Sequence, residues 1–191
     1  MSDLFSFDKE SAVKSGITGV GTSGVYPVTI TEAFRGKGAK GAVFMEFSFE
    51  TDDGAKVNFV KLYLTNNNGE KAFGHGKFMA LLGLAAVSDL AWKEVGEGDS
   101  KKQITPTLAG KKVKVGLQKK EYRNKAGEKK YTFELTHFFD AVTGCTFTEK
   151  MDNRPANTIK MAILDILLDD TQGSYSAPSV PPANDDGGLP F

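Results

Sequence analysis

The chain has 191 residues, 24 Lys plus Arg against 24 Asp plus Glu and a formal net charge of zero, which suits one ordinary domain with appended segments and gives no overall sign of a nucleic-acid or membrane partner. A single Cys and two His exclude an internal disulfide framework and a Cys/His structural zinc, so no cofactor or metal is expected and a reducing compartment fits. The N-terminal MSDLFSFDKE lacks a basic segment followed by an apolar stretch and no long apolar run occurs, so the expectation is a soluble, cytoplasmic protein, while fourteen Phe with twenty-one Gly predict a strand-rich chain.

Residues 1–24 are polar and end in the glycine-dense GITGVGTSG, which reads as an N-terminal arm. Strand one spans 25–34, with Pro27 near its start, where a missing N–H is tolerated. After the loop Arg35–Gly41, strand two alternates Val43, Met45, Phe47 and Phe49 with Phe44, Glu46 and Ser48. Turn residues TDDGAK separate it from strand three, where Val60, Leu62 and Leu64 oppose Phe59, Lys61 and Tyr63, so strands two and three form a hairpin.

The period changes in FGHGKFMALLGLAAV, where Phe78, Leu81, Leu82 and Ala85 make one helical stripe. A polar, glycine-containing stretch around GEGDSKKQ comes after it. Strand four then places Val113, Val115 and Leu117 opposite Lys112, Lys114 and Gln118, and strand five alternates Tyr131, Phe133, Leu135 and His137 with Thr132, Glu134 and Thr136. Three strands, a helix and two strands is the order of a five-stranded Greek-key barrel of the OB type, with its helix between strands three and four. A seven-stranded sandwich leaves that helix unexplained and needs more strands.

The OB domain is therefore placed at 25–150 and a C-terminal helix at 151–171. Within that helix Asn157 is the N-cap and Ile159, Ala162, Ile163, Ile166 and Leu167 form a stripe that Met161, Leu164 and Leu168 widen. A helix so apolar must be buried against its own barrel or against a second subunit, which leaves a homodimer open. Residues 172–191, rich in Gly, Ser and Pro, read as a disordered acidic tail.

Read by segment, the neutral charge separates. Between Lys101 and Lys130 eleven Lys and Arg face only Glu121 and Glu128, a net of plus nine, whereas from Asp165 to the end there are five Asp and no base. In an OB barrel the loop between strands one and two, the loop between strands four and five, and the exposed face of strands two and three form the ligand cleft. Here both loops are basic, through Arg35, Lys37 and Lys40 in one and Arg123 in the other, with Lys112 and Lys114 on strand four. Phe44, Phe59, Lys61 and Tyr63 point outward between them, and Trp92 and Tyr122 are further candidate rings. Cations that track a phosphate backbone among rings that stack on bases are what a single-strand site requires, and stacking is tolerant of base identity. Single-stranded DNA is thus the expected partner, with little sequence preference. The flexible acidic tail can compete for the same basic cleft.

Other signals are weaker. Gly19–Gly24 matches G-x-G-x-x-G but precedes a Pro-containing strand rather than a helix. His75 and His137 are isolated, Cys145 has nothing local to activate it, and Asp52–Asp53 before Gly54 are explained by turn chemistry. No enzyme is expected. The alternative from another class is a protein-interaction or scaffolding module that binds no nucleic acid.

The terminal Asp185-Asp186-Gly187-Gly188-Leu189-Pro190-Phe191 resembles the C-terminal tip of bacterial single-stranded-DNA-binding proteins, on which replication and repair enzymes dock. The physics is plain: a terminal carboxylate on Phe191 offers a basic rim and an apolar pocket something to hold, and the acids steer it. Here the acidic run is short, and two glycines separate it from the apolar tip. Element order and charge placement look more like the divergent single-stranded-DNA-binding proteins of bacteriophages. That resemblance implies an OB barrel that coats single strands in phage DNA replication, recombination and repair in the host bacterial cytoplasm. It also implies that Asp185, Asp186, Leu189, Pro190 and Phe191 recruit replication or recombination proteins.

Overall fold

The computed structural model describes residues 19–96, 101–124 and 126–172. Residues 1–18 of the expected arm and 173–191 of the expected tail, including the partner-binding candidates Asp185, Asp186, Leu189, Pro190 and Phe191, lie outside the described residues.

The chain builds a mainly antiparallel seven-stranded sheet from β1 (Gly24–Lys37), β2 (Val43–Thr51), β3 (Lys56–Tyr63), β4 (Lys93–Val95), β5 (Lys102–Ile104), β6 (Lys112–Arg123) and β7 (Lys129–Asp140). Helix α1 (Phe73–Leu84) separates β3 from β4, and α2 (Phe147–Met151) and α3 (Thr158–Gln172) come after β7. None of the described helices is long and apolar enough to cross a membrane.

Strand β1 is the hub. Residues 28–37 pair with β2, residues 24–29 with β6, and Phe34 and Arg35 with β5. β3 pairs with β2 and β7 with β6, so one continuous path runs β3-β2-β1-β6-β7, with the β4–β5 hairpin attached beside it. The ends of that path, β3 and β7, come within 8 Å Cα to Cα. Register shifts at Ile30/Glu32, at Phe47/Phe49 and at Gly116/Leu117 insert extra residues that bend and twist the sheet around its interior.

Alternation fills that interior as expected: Met45, Phe47, Phe49, Val60, Leu62, Val113, Val115 and Leu117 are buried. Phe47 is central, stacked on Phe49 at 5.6 Å between centroids and edge-on to Phe138 at 5.9 Å, pairs worth about 1 kcal/mol each beyond the area they bury. Helix α1 plugs the core with Phe78 and Leu81. A Cβ at its Gly83 would stand 2.3 Å from the Phe147 ring, so the glycine lets α2 seat against α1 at a cost in helix propensity.

Three features differ from the sequence reading. β1 runs to Lys37, so the turn into β2 is only Gly38–Ala42, closed by Gly38 N–H donating to Ala42 O at 2.8 Å. The polar stretch after α1 contains the β4–β5 hairpin, whose three-residue strands are too short for alternation to register. Finally, the glycine-rich lead-in is part of the body: Val20 and Ser23 are buried, and Ser23 Oγ accepts from Lys119 N–H at 2.8 Å.

Candidate nucleic-acid interface

Residues paired across an antiparallel sheet share a side, so register shows which side chains stand together. On the outer side one row runs Lys93, Ile104, Phe34, Glu46, Lys61 across β4, β5, β1, β2 and β3, and the next contains Gly36, Phe44 and Tyr63. Phe34 and Phe44 meet edge-on at 6.4 Å, and Phe44 meets Tyr63 at 5.6 Å. Lys61 Nζ lies 4.9 Å from the Phe44 centroid, and Lys102 Nζ lies 4.5 Å from that of Phe34. The result is an aromatic platform carrying ammonium groups.

The expectation that Phe44 is an exposed stacking ring is corrected: it is 7% exposed. Its ring lies across Gly36, directly opposite on β1, where a Cβ would come within 2.4 Å of Phe44 Cζ. Glycine there lets the ring lie down on the neighbouring strand, which leaves Phe44 supporting Tyr63 and Lys61 from below. Tyr63 is half exposed.

Phe59 is the most unusual residue of this face. It sits in the bulge of β3 with φ of 64°, and its side chain is 68% exposed. A non-glycine residue in that left-handed region costs about 1 kcal/mol or more, and exposure denies the ring the burial that would offset it.

Cations of the first loop fall into place differently. Lys40 is exposed in the Gly38–Ala42 turn. Arg35 and Lys37, opposite Met45 and Val43, point to the other side of the sheet from Phe44 and Tyr63, at its rim. Among the described residues no carboxylate comes within 4.0 Å of Arg35, Lys37 or Lys40. Lys61 in contrast faces Glu46 at 3.5 Å, which offsets its charge locally.

At the far hairpin, Tyr122 and Arg123 are both exposed but lie on opposite sides of the ribbon, Tyr122 opposite Lys130 and Arg123 opposite Lys129. Arg123 Nη1 donates to Gly127 O at 2.8 Å within the turn. On Arg123's side stand Tyr131 and Phe133, edge-on at 5.7 Å, with Lys119 Nζ 4.7 Å from the Tyr131 ring. Trp92, 43% exposed, immediately precedes β4 beside Lys93.

Two expected members stand elsewhere. Lys112 lies opposite Thr29 and pairs with Asp52 at 3.6 Å, at the end of β2 remote from Phe44, roughly 23 Å away at about 3.3 Å per residue. Lys114 donates to Val142 O at 3.3 Å on the part of the sheet that α3 approaches. Strand alternation identifies both as outward, but the outside of this sheet has two regions.

Sequence reading misses Phe34, Lys93, Lys102, Lys119 and Tyr131. Alternation in strand five does single out Tyr131, but groups it with Leu135 on the interior side; the hairpin extends past the core, so the same side becomes exposed there. Phe34 and Lys102 carry no signal, because their meeting depends on the short β4–β5 hairpin.

The residues set aside in the sequence stand apart from this face. Burial, with Lys77 adding to it against Asp165, pushes the His137 pKa down, and its ring stacks on Phe139 at 5.6 Å. Cys145 is buried, with Sγ 3.7 Å from Arg154 O. Thr51 Oγ1 donates to the Asp53 carboxylate in the turn that Gly54 completes at φ of 84°. Neither the protein-family models nor the curated proteins compared with this chain give a match.

Proposed function

We propose that the chain is an OB-type protein that binds single-stranded DNA with little sequence preference and coats it during phage DNA replication, recombination and repair, its C-terminal tip recruiting partner proteins. The strand path β3-β2-β1-β6-β7 supports the barrel assignment, because an OB barrel places its strands 3-2-1-4-5 with the helix between the third and fourth, where α1 stands. Phe59 is the observation that carries the reading. A strained, exposed ring beside Lys61 and Tyr63, flanked by the Phe34–Lys102 pair, supplies stacking surface and cations where an OB fold takes its ligand. Stacking on such rings is tolerant of base identity, so little sequence preference is expected.

The test is titration of fluorescent poly-dT against duplex DNA at two salt concentrations. With about four phosphates neutralised, the log-log salt slope on single strands is roughly −3, and a fourfold rise in salt weakens binding about fiftyfold. A flat response, or preference for duplex, overturns the reading. The exposed leucines of α3 favour a second reading, a protein-interaction or scaffolding module, which predicts no binding to either oligonucleotide.

A further inference from the structure

Among the described residues, helix α3 packs on the body from one side. Its N-terminus is held by a buried carboxylate: Glu149 Oε1 accepts from Asn157 N–H at 3.0 Å, from Thr158 N–H at 2.8 Å and from Thr158 Oγ1 at 2.7 Å. Ala162 and Ile166, one turn apart, are 3% and 2% exposed, and the helix packs on β1, β6 and β7. Among the described residues its opposite side is exposed and, apart from Lys160 near its start, apolar. Met161, Leu164, Leu167 and Leu168 are each more than half exposed and Ile163 is 39% exposed. Five such side chains make a patch on the order of 400–500 Å², at the upper end of what a soluble monomer leaves uncovered.

We propose that this face is a twofold interface with a second copy of the same chain. Met161, Leu164 and Leu168 have the 3-4 spacing of a coiled-coil seam, with Leu167 flanking it. Such a stripe is self-complementary when two helices run antiparallel: Leu164 of each meets Leu168 of the other in two identical layers about an axis near Ile166. An interface closed by a twofold axis requires this relation. The chain's zero net charge removes the repulsion that would hold two copies apart. The chain's own terminal segment is a poor match for the seam, because Pro178, Pro181, Pro182 and Pro190 interrupt it and cannot continue a helical repeat. Joining the two patches buries on the order of 1,000 Å² in total, the lower limit for a specific pair, so the dimer is weak and concentration-dependent.

The pairing itself does not depend on nucleic-acid binding. If the chain binds DNA as proposed, the consequence is bivalency: α3 packs on β1, β6 and β7, whereas Phe59, Lys61 and Tyr63 stand on β3, so two copies present two open platforms.

Light scattering on the eluting full-length protein, without DNA, tests this. At tens of micromolar the mass should approach twice the 20.6 kDa of one chain and fall to one chain on dilution. Leu164→Glu should be monomeric throughout with an unchanged circular-dichroism spectrum, since the residue is exposed. Leu164→Glu with Leu168→Lys should regain the dimer, because each layer then joins a carboxylate to an ammonium. A chain ending at Gln172 should still pair. A wild-type monomer at 100 µM overturns the proposal, as does a Leu164→Glu dimer; a dimer that forms only once residues 173–191 are removed overturns it too and gives the face to the chain's own tail. DNA titration of the monomeric variant is read separately, so loss of the dimer and loss of the DNA site are told apart.

Discussion

Two regions of one sheet surface carry the same sequence signature and have different fates. Where β1 pairs with β2 and β5 and β2 with β3, outward Phe34, Phe59, Lys61 and Tyr63 are part of a surface whose β3 edge is approached by α1, with Gly74 against Tyr63 O, and not by α3; where β1 pairs with β6, outward Lys112 and Lys114 stand on the strand that α3 approaches. Both are alternating strand residues, aromatic or basic. The difference arises just beyond β7, where the Thr146–Glu149 corner turns the chain back and aims α3 across β6. A surface site is thus defined as much by where the last helix lands as by the residues of the site. Three perturbations probe that contrast.

The largest acts on the corner. Glu149 caps α2 through Thr146, whose N–H donates to Oε2 at 2.8 Å, and it caps α3 through Asn157 and Thr158. Burial opposes its charge, but hydrogen bonds from Thr146 and Thr158 outweigh that and hold its pKa at about 2, below the ordinary 4.5. A carboxylate with a depressed folded-state pKa stabilises fully above its unfolded value and loses that contribution as pH falls through the folded one. Glu149→Ala should therefore destabilise by about 3 kcal/mol in urea unfolding at pH 7, and the gap to wild type should close as pH falls from 4.5 toward 2. The open region does not rest on this corner, so affinity for poly-dT per folded molecule should be unchanged. Equal loss of both properties would mean that the two regions are one unit.

Phe59 tests the open region from the other direction. Phe59→Gly removes the ring and relieves the left-handed backbone, so it should weaken poly-dT binding about tenfold or more while leaving stability unchanged or raising it by up to about 1 kcal/mol. Phe59→Ala should lose the same affinity without the gain in stability. If Phe59→Gly leaves binding intact, the strain at this bulge serves the fold, and the platform loses its principal member.

The same contrasts mark where sequence reading stops. The interior faces of β2, β3 and β6 are legible because a period of two over eight or more residues has one physical cause, a half-buried strand. The exposure of Phe59 and Tyr63 comes from the same alternation. Phe44 escapes because its burial depends on Gly36 of another strand, and no local pattern tells that a ring will lie down on a glycine opposite it. Arg35 and Lys37 read as loop residues since glycines flank them, yet β1 carries on to Lys37 and sends them to the rim. Fold analogy puts Lys112 in the cleft, but its pairing with Thr29 sets it by Asp52 at the other end of β2. For α3 the composition demands burial on more than one side, and the described residues supply cover for one.

The smallest effect is also the most direct measure of the boundary between the two regions. Lys102, over the Phe34 ring, and Lys112, paired with Asp52, are both exposed lysines of one basic segment, so whole-protein charge treats them alike. If strand and protein meet on the Phe34–Tyr63 platform, removing a cation that tracks the backbone there should shrink the magnitude of the salt slope by about 0.7 and weaken binding by several-fold. Lys102→Ala should do so. Lys112→Ala should leave the slope alone, since its ammonium stands roughly 23 Å from Phe44 along β2 and already has a carboxylate partner. Salt dependence of poly-dT binding, measured side by side for the two variants, separates them. Equal shifts would mean that the strand runs the length of β2 and reaches Asp52's neighbourhood, so that the division imposed by α3 does not bound the nucleic-acid path.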